Sequence, residues 1–476
     1  MRFKQTLSQN SLRESWKISL KPEPAWSAIL GLIILIFIAL IVKVGILALL
    51  AYYLGSFIIG LFLYQRYPIL YVGFTWWLWF MGPFVKRLID YQSGFVMPGA
   101  WNLIPALVTS ISFTTLVRHL PRSLNQDSFP FILSIGALFY GSIIQLIQQP
   151  ITLRNITTVL GWLAPVLFGF HLFVNWQYYP IYRHNLQRVF LWGILLMGVY
   201  GIWQFFMPLP WDTFWIELDG QCPCFQERLW STMSTPFVFA VFMSAGLLLL
   251  YINQSALKFP AALIGYLCFM LTSVRSAWLS CVVGLLFLLP SLQARYQKRL
   301  IVAIIILGIF CIPLTSIKPF SEIIVSRLAT FSNLESDDSF QGRLNFFGVD
   351  TLNSAMVEFV GRGLSFDGKT LEGEASFVGE DAGFLWILFS LGWFGTIPYL
   401  CGITLLLFKL FYFSKNYLDV VVITLRSIVI AVLLLSFIGL PGVVASDGMM
   451  IVWGFLSIAI AGCKYYQYQS STEKKF

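Results

Sequence analysis

The chain has 476 residues, of which 58% are hydrophobic and only 11% charged, with a formal net charge of +9. A soluble domain normally carries about 25% charged residues, so this composition excludes a water-soluble globular fold and makes the bilayer the solvent. The basic residues are scattered over short loops, which argues against a nucleic-acid partner and makes the charge a signal of membrane orientation.

Residues 1–24 are polar and basic (Arg2, Lys4, Arg13, Lys17, Lys21) and contain neither an apolar core nor a small-residue cleavage site, so a cytoplasmic N-terminal segment is expected rather than a cleaved leader. Apolar segments follow at 26–43, 45–64, 67–85, 98–117, 129–148, 156–176, 188–207, 232–252, 259–274, 276–291, 300–314, 383–408, 418–439 and 448–463. The pairs around Lys43 and Arg275 can each be counted as one span or two. The expected fold is therefore all-α: a polytopic transmembrane helical bundle of about 12–14 spans with one long extracytoplasmic loop containing short helices. The organisation that follows is 1–24 cytoplasmic, 25–314 holding eleven transmembrane helices, 315–380 an extracytoplasmic loop, 381–464 the C-terminal transmembrane helices and 465–476 a cytoplasmic tail.

With the N-terminus cytoplasmic, the inner loops collect Arg66, Arg118, Arg122, Arg183, Arg188, Lys258, Arg295, Lys298, Arg299, Lys409, Lys415, Lys464, Lys474 and Lys475, as the positive-inside rule requires. Arg228, Arg275 and the segment 315–380 then face outward. That segment is rich in charge and far longer than a helix connection needs, and long loops on a rigid scaffold carry function. Within it, Arg343 to Val349 with Leu352 has the pattern of an amphipathic helix, and Phe359 to Leu364, with Gly361 and Gly363, reads as a turn bringing backbone close to another element.

Arg275 stands alone in the uncharged stretch from Phe259 to Leu292. A guanidinium at mid-bilayer costs at least about 2.5–3.5 kcal/mol, so the stretch is expected to break into a hairpin with Arg275 at its tip. Arg228 opens a span and Arg343 opens the loop helix. Single interfacial arginines snorkel or pair with carboxylates. Three on one face, each always charged and able to grip phosphate oxygens with a planar fork, suit a phosphate or pyrophosphate ligand.

Four segments, Arg228 to Ala240 (RLWSTMSTPFVFA), Thr272 to Leu279 (TSVRSAWL), Gly342 to Phe347 with Phe359 to Gly363 (GRLNFF, then FVGRG) and Asp381 to Gly395 (DAGFLWILFSLGWFG), resemble in order and spacing the signature segments of the O-antigen ligase and O-antigen polymerase superfamily. The resemblance covers about residues 228–400. It implies an extracytoplasmic glycosyltransferase of the bacterial plasma membrane that draws on a polyprenyl-diphosphate-linked oligosaccharide donor, passes the glycan to a growing glycan or a lipid-glycan acceptor, and needs neither metal nor other cofactor. By position, Arg228, Arg275 and Arg343 match the arginines thought to hold the diphosphate.

Ligases of that family carry a histidine-asparagine pair where this chain has Asp381-Ala382, and its histidines, His119, His171 and His184, lie elsewhere. Asp381, with Glu380 as its neighbour, is the expected base, because a carboxylate against apolar walls can be raised toward neutrality and accept a proton from a sugar hydroxyl. Both residues equally solvate a span mouth or pair with an arginine. The departure favours polymerisation, or ligation to a different acceptor, over lipopolysaccharide ligation.

Weaker candidates are Asp337 and Asp338 for a cation, Cys222 and Cys224, and Gln145, Gln148 and Gln149 for a sugar path. Trp76, Trp77 and Trp79 are candidates for a polyprenyl groove or an interfacial belt. A second reading from the same superfamily is an inorganic-carbon (bicarbonate) or other small-anion transporter. Such a protein is expected to show charges deep in spans, of which Arg426 is the main instance, and broken helices.

Overall fold

A computed structural model describes residues 23–94, 100–123, 127–218, 228–298, 300–302, 305, 349–366, 383–414, 419–438 and 447–473. The main elements are α1 (Glu23–Ile41), α2 (Gly45–Arg66), α3 (Pro68–Ser93), α4 (Leu103–Leu120), α5 (Phe129–Gln148), α6 (Leu153–Val174), α7 (Tyr179–Phe206), α8 (Pro210–Leu218), α9 (Pro236–Leu250), α10 (Lys258–Leu271), α11 (Arg275–Leu288), α12 (Val349–Val357), α13 (Gly383–Ser414), α14 (Val420–Ile438) and α15 (Asp447–Glu473). Among the described residues ten helices, α1 to α7 and α13 to α15, are long and apolar enough to cross a membrane, and α9 to α11 are apolar but shorter. The protein is an all-α, multi-pass membrane helical bundle. Helices are the solution hydrocarbon allows, because each backbone N–H and C=O finds its partner within its own segment.

Local sequence sets where these helices begin. Prolines occupy the first turn of α3, α5, α7 and α9, where a missing N–H costs nothing. Thr152 and Thr235 cap α6 and α9, each hydroxyl accepting from a backbone N–H at 3.2 Å. Within its apolar window α15 is 89% buried and α1 only 22%, so α15 is the axis of the bundle and α1 lies at its edge. The axis packs most closely on α6 and α14, while α5 and α13 form the most extensive pair.

Side-chain bonds sort the helix termini into two ends. At one, Gln92 Nε2 donates to Leu40 O (2.7 Å), joining α3 to α1, and Asp447 Oδ atoms accept from Asn102 Nδ2 (2.7 Å) and Ser234 Oγ (3.2 Å). At the other, Asp127 meets Lys409 and Lys464 at 3.6 and 3.4 Å. Asp419 there accepts from the hydroxyls of Tyr179 (2.6 Å) and Tyr466 (2.8 Å). These are the Asp447 end and the Asp127 end.

Two expectations require correction. The segment 67–85 was expected to stop before Lys86, yet α3 continues to Ser93, because Lys86 pairs with Asp90 one turn on at 2.5 Å and Arg87 pairs with Asp212 of α8, all four side chains being shielded from solvent. A charge paired and hydrogen-bonded does not end an apolar helix. Trp76 and Trp79, offered as a lipid groove, are 0% and 1% exposed. The Trp76 ring lies 6.1 Å from Phe168 and 5.7 Å from Phe455, and Trp79 Nε1 donates to Thr109 Oγ1 at 2.9 Å. Both belong to the core between helices. The expected span 300–314 falls almost wholly outside the described residues.

Candidate functional site

Helices α9, α10 and α11 have 15, 14 and 14 residues. At 1.5 Å per residue they reach only about 21–22 Å, short of a hydrocarbon core of about 30 Å. The turn joining α10 to α11 and the run preceding α9 both lie on the Asp447 side of these helices and sit lower than the end of α3, forming a recess. Thr232 Oγ1 donates to Phe80 O at 2.7 Å, and Phe80 stands thirteen residues (93 minus 80) before the end of α3, so that helix rises about 20 Å above this level.

The floor is the non-helical run from Arg228 to Thr235 and the turn Thr272–Val274. Leu229 N donates to Leu271 O at 3.1 Å, which ties the two together. Ser231 is held on every polar atom: its N donates to Gln204 Oε1 (2.6 Å), its Oγ donates to Met197 O (2.5 Å), and its O accepts from Gln204 Nε2 (3.3 Å) and from Arg87. Its φ is +54°, and Ser273 in the adjoining turn has φ +55°. Only Lys43 shares this left-handed conformation among the other described non-glycine residues. Such backbone persists where its surroundings over-determine it, and here both instances stand beside the arginines singled out by sequence.

Arg87 organises the wall. Its fully buried guanidinium pairs with Asp212 and stacks 4.2 Å over the Trp230 ring. Asp212 also accepts from Tyr200 Oη (2.7 Å), which in turn accepts from Trp211 Nε1 (3.0 Å). Helix α8 is thereby folded down onto α3 and α7, with Trp101, Trp215 and Trp230 packed together beside it. Asp447, 2% exposed, fastens the first turn of α15 to Ser234 on the floor.

Arg228 and Arg275 both lie half-buried in this recess. The Arg228 guanidinium sits 5.7 Å from the ring of Phe237 in the first turn of α9, and its buried Nε meets no hydrogen-bond acceptor among the described residues. Arg275 is the first residue of α11, immediately after a tight turn, so the expected hairpin with Arg275 at its tip forms. A helix N-terminus already carries about half a positive charge. Arg275 opens one such terminus and the Arg228 guanidinium lies beside the first turn of another, and helix N-termini are places where anions bind.

A second feature of this end is a break in α13. Gly392 has φ +63° inside the helix, and the interruption frees backbone groups on both sides. The segment Glu358–Gly363 takes them up: Arg362 N and Gly363 N donate to Phe389 O (2.8 Å) and Ser390 O (3.1 Å), while Trp393 N and Phe394 N donate to Glu358 O (3.0 Å) and Phe359 O (3.1 Å). The turn expected at Phe359 to Leu364 thus does bring backbone close to another element. Gln145 and Gln148, candidates for a sugar path, instead hold this clasp, Gln145 Oε1 accepting from Ser365 N (2.7 Å) and Gln148 Nε2 donating to Gly361 O (3.2 Å). Arg362 Nε donates to Glu358 Oε2 at 3.0 Å.

Arg343, Glu380 and Asp381 lie outside the described residues, as do Asp337, Asp338, Cys222 and Cys224. Arg426 is at the Asp127 end, donating to Ser291 Oγ at 2.8 Å and lying 4.8 Å over Phe411. His171 is buried, its Nδ1 2.7 Å from Thr115 Oγ1. Among the described residues, no group of three or more His, Cys, Asp or Glu is placed to hold a metal ion. Sequence reasoning passed over Lys86, Arg87, Asp90, Asp212 and Asp447. A signal existed for the first three: two adjacent cations on the supposed outer end of a span, against the positive-inside trend, with an acid four residues after the lysine.

No protein-family model matches the chain, and no curated protein sequence matches it.

Proposed function

We propose that the recess binds the diphosphate of a polyprenyl-linked oligosaccharide and that the protein is a membrane glycosyltransferase of the O-antigen ligase or polymerase type, working in surface or exopolysaccharide assembly. The observation that carries this reading is the placement of Arg275 at the N-terminus of α11 and of the Arg228 guanidinium beside the first turn of α9, next to the strained and heavily bonded backbone of Ser231 and Ser273. Arginine side chains beside helix N-termini suit a multiply charged anion. The resemblance of the surrounding segments adds Arg343 as the third diphosphate ligand.

In the proposed reaction an acceptor hydroxyl attacks the anomeric carbon of the donor. The bond from that carbon to the diphosphate oxygen breaks, the diphosphate leaves with the electron pair, and Asp381 or Glu380 takes the hydroxyl proton. Single displacement inverts the anomeric configuration. The arginines accelerate the step to the extent that they bind the leaving diphosphate more tightly as its charge grows. The orientation that serves this reaction puts the Asp447 end on the extracytoplasmic side of a bacterial plasma membrane and both termini in the cytoplasm.

Reconstitution with a lipid-diphosphate-linked oligosaccharide and an acceptor tests the reading. Glycan extension or transfer by the wild type, abolished in Arg275→Ala at unchanged protein level, is the expected result. The small-anion transporter is the alternative, and the interrupted α13 is the feature that would speak for it. Bicarbonate flux into proteoliposomes, with inactivity toward a range of lipid-linked donors, would establish it and end the transferase proposal.

A further inference from the structure

At the Asp127 end, away from the recess, the start of α5 and the last turns of α13 enclose a groove of about 460 Å³. Its lining is almost wholly carbon, with Phe129, Leu405, Phe408 and Tyr412 among the walls, and Lys409 is the one ionic residue in it. Phe408 and Tyr412 stack at 6.3 Å with an 18° tilt and are 67% and 61% exposed, so the groove opens sideways on the outer face of the bundle.

Basic side chains gather at its mouth. Lys409 and Lys464 share the single carboxylate of Asp127 at 3.6 and 3.4 Å, and that carboxylate is 62% exposed. Among the described residues, two ammonium groups meet that one carboxylate. Long, exposed pairs of this kind are weak and yield to a competing anion. An apolar slot opening to the side of the bundle, with a lysine pair where the spans end, has the form that holds an acyl chain below an anionic head group.

We propose that this groove is a binding site for an anionic phospholipid, its acyl chain lying against Phe408 and Leu405 and its phosphate held by Lys409 and Lys464. A zwitterionic lipid fits the slot equally well but offers no net charge to the lysines, so selectivity resides in the head group. The site lies at the opposite end of the bundle from Arg228 and Arg275, so its occupancy is independent of the proposed reaction.

Full-length protein purified in a neutral detergent, supplied with phosphatidylglycerol or phosphatidylcholine and read by native mass spectrometry and by thermal midpoint, decides the matter. Wild type is expected to retain phosphatidylglycerol at least several-fold better than phosphatidylcholine and to gain more thermal stability from it, while inorganic phosphate at the same concentration gives no such gain. Lys409→Gln with Lys464→Gln is expected to abolish the difference between the two lipids. Should the double variant fold poorly, Leu405→Trp, which fills the slot from a position 41% exposed, is expected to lower retention of both lipids. Equal retention of the two lipids by the wild type, undiminished selectivity in the double variant, or full replacement of the lipid effect by inorganic phosphate would overturn the proposal.

Discussion

Arg87 and Arg275 are both arginines at the same end of the bundle, and their surroundings assign them different work. Arg87 is fully buried and bonded to Asp212 and to the carbonyl of Ser231, so its removal strands a carboxylate and frees the strained floor. Breaking a buried pair by removing one partner costs about 3–5 kcal/mol. Arg87→Met is therefore expected to lower the thermal midpoint sharply, and the paired change Arg87→Met with Asp212→Leu to restore much of the loss, which a thermal-shift series on the three variants measures. Arg275 is half-buried at the N-terminus of α11, on the rim of the recess rather than inside the packed wall that holds Arg87. Arg275→Ala is expected to change the unfolding free energy by no more than about 1 kcal/mol and to reduce glycan transfer by about 10²–10³-fold, the scale of losing one donor to a leaving group. Equal damage to stability from both variants would refute this division of roles. Ser273→Gly probes the turn itself: glycine adopts φ +55° without the penalty that serine bears, so stability is expected to rise by up to about 1 kcal/mol while a looser backbone weakens donor binding, read as a higher KM.

At the scale of elements, the clasp between Glu358–Gly363 and the break in α13 ties a segment outside the apolar spans to the C-terminal ones. A Cβ on Gly392 would stand 2.4 Å from Gly361 N and Phe359 O, and one on Gly361 would stand 2.5 Å from Gly392 N. Both glycines also have positive φ, so neither space nor backbone admits alanine. Gly392→Ala is expected to destabilise by more than about 3 kcal/mol and to expose the 358–366 segment to protease, with Gly136→Ala, whose Cβ meets nothing within 4 Å, as the tolerant control. Limited proteolysis with thermal unfolding distinguishes the two. The same elements show what the sequence carried. The apolar segments, the Arg275 hairpin and the close turn at Phe359 to Leu364 were legible, since hydropathy and glycine spacing report directly on solvent and backbone. The extension of α3 through Lys86, Arg87 and Asp90 was not, because its stability depends on Asp212, 125 residues beyond Arg87, and no local pattern records that pairing. The burial of Trp76 and Trp79 was hidden for a related reason: in an apolar span a core tryptophan and a lipid-facing one have the same neighbours in sequence.

Across the whole molecule, the two ends differ in how they treat charge, and this difference ties orientation to function. Arg66, Arg183, Lys258, Arg295, Lys298, Lys409 and Lys464 gather at the Asp127 end, several of them on short connections of the kind that the positive-inside rule counts. At the Asp447 end the described cations are Lys43, Lys86, Arg87, Arg154, Arg228, Arg275 and Arg362, and Lys86, Arg87 and Arg362 are each engaged with a carboxylate of the same chain. The rule therefore predicts that the Asp127 end faces the cytoplasm and the arginine recess faces away from it. Single cysteines at Gln254, on the exposed connection between α9 and α10, and at Arg154, exposed at the start of α6, report on the two ends in a background with the seven native cysteines replaced. A membrane-impermeant maleimide applied to intact cells is expected to modify position 154 and to reach position 254 only after the membrane is opened. The opposite pattern would place Arg228 and Arg275 on the side where nucleotide-activated sugars are available and lipid-linked glycans are not presented, and the proposed donor would have no route to the recess.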